Sequence, residues 1–156
     1  MNDDERTRLR TVADYQFGAG AGRALFPDDE ALTVARSSTG RPQQVLAPGT
    51  DGGERLVSYT VEGRFTLSVA GGRRLLAGPG RPRVDVGDES EPFVRDGKNA
   101  FAKFVRRVDD DVRPGDEVCV TVDGTLLAVG RAELPADGMR DFDTGVAVKV
   151  REGAEA

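Results

Sequence analysis

Residues 91–105 have the sequence EPFVRDGKNAFAKFV, in which three structural features follow one another. The pattern predicts a short helix over residues 89–95, a turn at the glycine and a strand over residues 100–105. Only three of the 22 basic residues of the chain are lysine, and two of them, Lys98 and Lys103, lie in this stretch. A compact cation beside a glycine with exposed backbone N–H groups is suited to contact a phosphate. A helix cap followed by a surface lysine fits the same spacing equally well.

Further strand patterns make the second half of the chain rich in β-structure. Residues 117–122 and 126–134 flank Asp123-Gly124-Thr125, which predicts a hairpin. Residues 146–151 alternate, with the valines expected on one face and Ala147, Lys149 and Arg151 on the other. Two further strands are expected over residues 83–86 and 100–105, which makes five strands in this half. Two short helices are expected with them, over residues 89–95 and 136–142. This content predicts a small, partly closed barrel.

The first half predicts a smaller domain of mixed composition. Apolar residues at helical spacing favour a helix over residues 4–17, and four short strands follow, two of them in a hairpin at Glu62-Gly63-Arg64. The strongest cluster of helix and strand breakers in the chain is residues 77–82, which predicts a linker. We therefore expect an α+β protein with two domains, 1–80 and 81–156.

The charge of the chain is acidic and unevenly distributed. There are 22 Lys and Arg against 27 Asp and Glu, a net charge of −5, and all of this excess lies after residue 80, where 12 basic residues face 17 acidic ones. An acidic, lysine-poor composition suits a cytoplasm of very high salt, so a halophilic source is expected, although a GC-rich genome also replaces Lys by Arg. Net negative charge usually argues against nucleic-acid binding. Halophilic RNA-binding proteins are acidic overall and keep local basic spots.

The absence of histidine and the single cysteine exclude several kinds of chemistry. No Ser-His-Asp or Cys-His arrangement, His- or Cys-ligated zinc site or internal disulfide can form. Cys119 alternates with valines and is expected to be a buried apolar side chain. Asp109-Asp110-Asp111 lacks the ligand spacing of a calcium loop, so a solvated turn or helix N-cap is expected. We expect no catalytic residues, no metal and no cofactor.

Two other sequence features carry weaker expectations. The glycine-rich residues 18–22 lack the preceding strand of a dinucleotide-binding loop, so they predict a flexible helix break, with Arg23 as a candidate ligand or partner contact. No run reaches the roughly 18 apolar residues of a membrane span. The acidic first residues are unlike a signal peptide. A cytoplasmic protein that does not bind membranes is expected.

Eight segments of the chain carry a family resemblance. In the second half they are residues 93–98 (FVRDGK), 101–105 (FAKFV), 112–118 (VRPGDEV), 127–132 (LAVGRA) and 145–151 (GVAVKVR). In the first half they are residues 14–18 (DYQFG), 38–41 (STGR) and 63–67 (GRFTL). Residues 83–151 resemble the PUA domain, an RNA-binding β pseudobarrel. The form is most similar to the C-terminal domain of archaeal tRNA-guanine transglycosylases and related archaeosine-pathway proteins, and the first half resembles the small domain that precedes PUA in that group.

This resemblance implies a function. In that family the region grips the acceptor stem and 3′ end of tRNA. The catalytic barrel needs hundreds of residues and a zinc site, so the resemblance implies a stand-alone, non-catalytic tRNA-binding protein or an accessory to an RNA-modification enzyme. The nearest phenylalanines, Phe101 and Phe104, are candidates for the core, so base stacking is not expected. By position, the RNA-facing residues are Arg95, Gly97, Lys98, Lys103, Lys149 and Arg151.

Two other function classes stay open at this point. A protein-interaction or assembly module without RNA affinity would present an apolar patch on the first half of the chain. The residues expected in that patch are Phe17, Leu25, Phe26 and Tyr59. A small enzyme would need a nucleophile with an adjacent base, and the sequence offers no such pair.

Overall fold

The chain folds as two compact units, Met1–Pro79 and Gly80–Ala156. This architecture is taken from a computed structural model, which describes residues 1–50 and 52–155. Each unit combines helices with its own β-sheet, which confirms the α+β fold class. Within the described residues, no helix is both long enough and apolar enough to cross a membrane.

The N-terminal unit has a four-stranded antiparallel sheet with helices before and after it. Its described elements are α1 (Asp3–Phe17), α2 (Ala21–Leu25), β1 (Thr33–Arg36), β2 (Pro42–Ala47), β3 (Glu54–Tyr59), β4 (Phe65–Leu67) and α3 (Val69–Ala77). The strands are adjacent in sequence order, and β3 and β4 form the hairpin predicted at Glu62-Gly63-Arg64.

Helix α1 confirms the expected amphipathic pattern. Its N-terminus is capped by the side chain of Asn2, whose Oδ1 accepts a hydrogen bond from the backbone N–H of Glu5 at 2.8 Å. Leu9, Ala13 and Phe17 are buried on its inner face. Burial of this stripe supplies most of the stability that so short a helix would lack alone.

The helix break predicted at the glycine-rich segment is present, since α1 ends at Phe17 and α2 begins at Ala21, and the segment forms a tight corner between the two helices. The N–H of Gly22 donates to Asp14 Oδ1 at 2.7 Å, and a Cβ at Gly22 would lie 2.6 Å from the Cα of Arg10. The absence of a side chain therefore lets α2 lie directly against α1. The sequence does not show this contact because it joins residues on two helices.

The apolar patch expected for an interaction module does not exist at the surface. Phe17, Leu25 and Phe26 are at most 3% exposed and form part of the core of the N-terminal unit. Tyr59 is half-buried, and the centroid of its ring lies 5.1 Å from the ring centroid of Phe65. The guanidinium carbon of Arg41 lies 5.5 Å from the centroid of the Tyr59 ring. These four residues therefore pack within the unit and do not form the exposed patch that was expected.

A buried carboxylate makes the stability of the N-terminal unit depend on pH. Two nitrogens of the Arg36 guanidinium donate to the two carboxylate oxygens of Glu5 at 2.9 and 2.6 Å. These hydrogen bonds, opposed in part by burial, lower the pKa of Glu5 below its ordinary value of 4.5. The pair therefore stabilises the unit above about pH 4.5, and this contribution is lost as the pH falls through the lower, folded-state pKa.

We expect Glu5→Gln to lower the free energy of unfolding of the N-terminal unit by about 1 kcal/mol at pH 7, because Arg36 is partly solvated. At pH 3 the difference from the parent should be smaller, because this pH lies below the ordinary pKa of 4.5 that Glu5 has in the unfolded chain. Denaturant unfolding at the two pH values measures this, with the exposed Glu62→Gln as control. A loss of equal size at both pH values would contradict the assignment.

The C-terminal unit has a six-stranded sheet and two short helices. Its described elements are β5 (Arg83–Val86), α4 (Glu91–Arg95), β6 (Ala100–Phe101), β7 (Val105–Val108), β8 (Glu117–Val122), β9 (Thr125–Ala132), α5 (Ala136–Asp141) and β10 (Val146–Gly153). The spatial order is β6-β10-β9-β8-β5-β7, with β5 parallel to β8 and the other pairs antiparallel. The predicted hairpin at Asp123-Gly124-Thr125 joins β8 to β9.

Two details of this sheet differ from the predictions. The strand expected over 100–105 is interrupted by a 3₁₀ turn at Ala102–Phe104, so six strands form where five were expected. In β10 both Ala147 and Val148 are buried, although the alternation predicts that they lie on opposite faces, with Ala147 on the face of the exposed Lys149. The pairing of β10 with β6 is irregular between Val146 and Val148, which breaks the simple alternation.

The core of the C-terminal unit is built from small, branched apolar residues. Its members include Val84, Val120, Leu127 and Ala132, each with no measurable exposure. Cys119 is also fully buried, as expected, and this burial raises the pKa of its thiol to about 12. The thiol is therefore protonated and unreactive in the folded unit.

Candidate nucleic-acid interface

Helix α4 ends in a glycine turn whose backbone hydrogen bonds are complete. Gly97 has a φ of +93°, the left-handed conformation that glycine adopts most readily. Its N–H donates to Val94 O, and the N–H of Lys98 donates to Phe93 O, both at 3.0 Å. This is a Schellman cap. Of the two interpretations that the sequence left open, the helix cap followed by a surface lysine is the one observed, so any anion contact here must come from the Lys98 ammonium.

The turn is fixed against the last strand. The N–H of Val150 donates to Asn99 Oδ1 at 3.0 Å. At the end of β10, a Cβ on Gly153 would collide with the carbonyl oxygen of Arg95 and lie 3.2 Å from the nitrogen of Gly97. These contacts hold the Lys98 turn beside the strand that carries Lys149.

Two of the predicted RNA-facing arginines are occupied by partners within the unit. Arg95 donates to Glu91 Oε2 at 3.1 Å and to Ala154 O at 3.2 Å, and its side chain is only 20% exposed. Arg151 forms a two-pronged ion pair with the buried carboxylate of Glu117, with Nη1 donating to Oε2 at 3.1 Å. Both guanidinium groups therefore stabilise the fold through these contacts. Their positive charge is largely neutralised by carboxylates of the same unit.

The three lysines, in contrast, are all exposed. Lys103 lies on the 3₁₀ turn and not on a strand, with its ammonium 5.0 Å from the centroid of the Phe104 ring. In the part of the chain that the structure describes, no lysine ammonium pairs with a carboxylate. These cations are the groups of the predicted set that are most available to a phosphate.

The structure adds Arg131 to this surface. It lies opposite Lys149 in the β9–β10 ladder, so both side chains extend from the same face. Arg131 is half exposed, and its ion pair with Glu133 is long, at 3.4 Å. The sequence did not identify Arg131 because its position depends on the register between two strands, which the alternation within each strand does not fix.

Two exposed aromatic rings lie close in sequence to Lys98. Phe93 is 58% exposed and Phe101 is 45% exposed, so the expectation that Phe101 belongs to the core is wrong. Ala100 and Ala102 take the inward positions on either side of Phe101. The alternation Ala-Phe-Ala was the sequence feature that could have predicted this. Exposed aromatic rings beside cations can stack on unpaired bases.

Comparison with known proteins identifies both units. A family model described as the patch-forming domain C2 of tRNA-guanine transglycosylase matches residues 7–80, and a PUA domain model matches residues 82–154. The tRNA-guanine(15) transglycosylase of Methanothermobacter thermautotrophicus is 44% identical over 155 residues, which cover 96% of this chain and 23% of that protein. Its counterpart in Thermococcus kodakarensis is 41% identical, with 97% and 26% covered. The chain thus spans about a quarter of the length of these curated relatives.

Solved structures share the fold over nearly the whole chain. A hypothetical protein from Pyrococcus horikoshii superposes with a TM-score of 0.73 at 19% identity, covering 100% of this chain and 93% of that one. A conserved PUA domain protein from Thermoplasma acidophilum gives a TM-score of 0.70 at 23% identity, covering 98% and 91%. The resemblance predicted from the sequence is confirmed. The chain belongs to the PUA-domain proteins, with a C2 domain of the tRNA-guanine transglycosylase type preceding its PUA domain.

Proposed function

We propose that this chain is a non-catalytic tRNA-binding protein that contacts the acceptor-stem region through its PUA domain. The family supports RNA binding in the context of tRNA modification. The observation that carries the proposal is that the lysine side chains are exposed and not paired with carboxylates among the described residues. All three lie in the PUA domain, all are exposed, and none pairs with a carboxylate among the described residues.

The charge balance explains why unpaired lysines matter in this protein. Affinity for RNA depends largely on neutralisation of phosphates, and the net charge of −5 repels a polyanion. Binding must therefore come from local cations whose charge is not already used within the fold. Lys98, Lys103 and Lys149 meet this condition, whereas Arg95 and Arg151 do not.

We propose that base stacking adds to the phosphate contacts. Phe93 and Phe101 expose their rings on either side of the Lys98 turn in the sequence. Stacking on aromatic rings is the common way in which proteins bind unpaired RNA bases, such as those of a tRNA 3′ end. A domain that offers both exposed ammonium groups and exposed rings suits a nucleotide, which offers a phosphate and a base together.

We further propose that the chain acts with an RNA-modification enzyme, either as part of that enzyme or as a separate accessory protein. It would bind the RNA and would not catalyse the reaction. The curated relatives are transglycosylases, of which this chain matches about a quarter. The chain has no histidine, and its one thiol is buried with a pKa of about 12. In the described residues, no three acidic or cysteine side chains are grouped as metal ligands.

The test is the affinity of the unmodified protein for tRNA. Fluorescence anisotropy would compare a full tRNA, an acceptor-stem minihelix with its 3′ end and an anticodon hairpin over a series of salt concentrations. We expect the minihelix to bind about as tightly as the tRNA and at least about tenfold more tightly than the hairpin. The slope of log K against log salt should be at least as steep as about −2 to −3, because the three lysines alone supply three phosphate contacts. Absence of affinity for all three RNAs would refute the function, and equal affinity for minihelix and hairpin would refute the acceptor-stem assignment.

A further inference from the structure

A second basic surface lies in the PUA domain, outside the predicted RNA-facing set. It is an open groove of about 340 Å³, here called the arginine groove. The residues that line it are Arg83, Arg106, Arg107, Val108, Asp109 and Arg140. They come from β5, the edge strand β7, the residue that follows it, and α5.

An irregularity in the sheet directs two consecutive arginines to this groove. Val86 lies opposite Val105 and Asp85 lies opposite Arg107, so Arg106 is an extra residue on β7. Successive side chains of a regular strand point to opposite faces, but a bulge bends the strand and redirects its side chains. Arg106 and Arg107 are both exposed and both line the groove.

The carboxylates at the groove already have hydrogen-bond or ion-pair partners within the unit. Asp109 Oδ2 accepts the backbone N–H of Arg83 at 2.6 Å, and Asp110 forms an ion pair with Arg140. Arg140 also donates to the backbone oxygen of Val108 at 2.9 Å. The acidic run at 109–111 is thus the turn that was predicted, and its carboxylates organise the rim of the groove.

Three guanidinium groups at the groove have no such partner. In residues 1–50 and 52–155, no hydrogen bond or ion pair involves the side chains of Arg83, Arg106 or Arg107. Most other arginines of the PUA domain do form ion pairs, namely Arg81, Arg95, Arg131, Arg140 and Arg151. The four arginines that line the groove, counted against Asp109 in its lining and against Asp110 and Asp137 as the ion-pair partners of Arg140, leave a net charge of +1. This half of the chain is acidic overall.

We propose that the arginine groove binds the phosphodiester backbone of RNA, as a contact additional to the Lys98 surface. The proposal rests on the proposed RNA-binding function. Guanidinium groups match phosphate oxygens with paired hydrogen bonds and are weakly hydrated, which suits this ligand. The groove is open, and the Cα atoms of Lys103 and Arg106 are three residues apart and so at most about 11 Å apart. A phosphodiester backbone is long enough to contact both sets of cations, whereas a single small anion would contact only one of them.

Protection of an edge strand is the competing explanation for these charges. Charged side chains on an edge strand prevent pairing with a second molecule, and β7 is an edge strand. That explanation predicts self-association when the arginines are replaced and no change in RNA affinity. The two explanations therefore differ in a measurable way.

The test compares Arg106→Gln/Arg107→Gln with the control Arg73→Gln/Arg113→Gln, in which two exposed arginines outside the groove lose the same charge. We expect the groove variant to weaken tRNA binding roughly tenfold and to make the salt slope shallower by about one to two units. The control should remain within about twofold of the parent. Sedimentation should show that both variants have the oligomeric state of the parent. Thermal unfolding should show that their melting temperatures are unchanged.

Three outcomes would overturn the proposal. The first is unchanged affinity of the groove variant while Lys98→Glu/Lys103→Glu weakens binding, which would leave the proposed function standing and refute the groove alone. The second is self-association with unchanged affinity, which would assign the arginines to edge protection. The third is competition by inorganic pyrophosphate at matched ionic strength that the groove variant abolishes, which would assign the site to a small anion. If the parent binds no RNA, both the groove and the proposed function fail.

Discussion

Replacement of Lys98 and Lys103 together by glutamate should weaken tRNA binding by about 30- to 100-fold, which corresponds to about 2–3 kcal/mol. Each substitution removes an ammonium that can bind a phosphate and places a carboxylate in its position. Neither lysine pairs with a carboxylate among the described residues, so no ion pair within the fold is lost. The salt slope should become shallower by about one to two units, because two contacts no longer release counterions.

The control for this prediction is Arg73→Glu/Arg113→Glu, which changes the net charge by the same amount at exposed positions outside the predicted RNA-facing set. Its affinity should fall by much less, because a change in net charge without the loss of a phosphate contact is weakened by salt screening. Melting temperatures of both variants should stay close to that of the parent, since exposed charges seldom change stability by more than about 0.5 kcal/mol. A lysine variant that binds tRNA like the parent at matched salt would remove these residues from the interface.

Replacement of Gly130 by alanine should lower the free energy of unfolding of the PUA domain by about 3 kcal/mol. Gly130 lies in β9 between β8 and β10, opposite Val118 on one side and Val150 on the other. An added Cβ would collide with the carbonyl oxygen of Lys149 and lie 2.9 Å from the Cα of Val150. These are backbone atoms of a paired strand, so they cannot move aside without breaking the ladder.

The control is Gly138→Ala in helix α5, where a Cβ would meet side chains at 3.4 Å, an ordinary contact distance. Alanine there should leave stability unchanged or raise it by up to about 1 kcal/mol, because it favours the helix. Denaturant unfolding, with hydrogen exchange at the β8 and β9 amides as a probe local to the domain, measures both variants. Equal destabilisation by the two substitutions would show that backbone approach at Gly130 is not the cause.

Local features of this chain were predictable from sequence because local geometry determines them. The β8–β9 hairpin forms where Asp123 and Gly124 both take positive φ, of 47° and 81°, as a two-residue turn requires. Helix α1 was predicted from its apolar spacing. The family resemblance extended this local information to the whole chain, because motifs shared with a known family imply that family's topology, which periodicity alone does not.

The features that escaped prediction depend on contacts between distant residues. The interruption at Ala102–Phe104, the bulge at Arg106 and the position of Arg131 beside Lys149 all follow from how strands align in space. The sequence also cannot show that Glu91 and Ala154 hold the guanidinium of Arg95, whose role in RNA binding stays a prediction. A residue type indicates what a side chain can bind, and only the structure shows which partner it has already bound.

The buried thiol of Cys119 makes the protein convenient to label. It is the single cysteine of the chain, and with a pKa of about 12 almost none of it is thiolate at neutral pH. A maleimide dye would therefore react selectively with a cysteine introduced at the surface, for example at Lys149, without removal of the native residue. Under stronger labelling conditions, modification of Cys119 requires β8 to leave the core, so its rate reports how often the PUA domain opens.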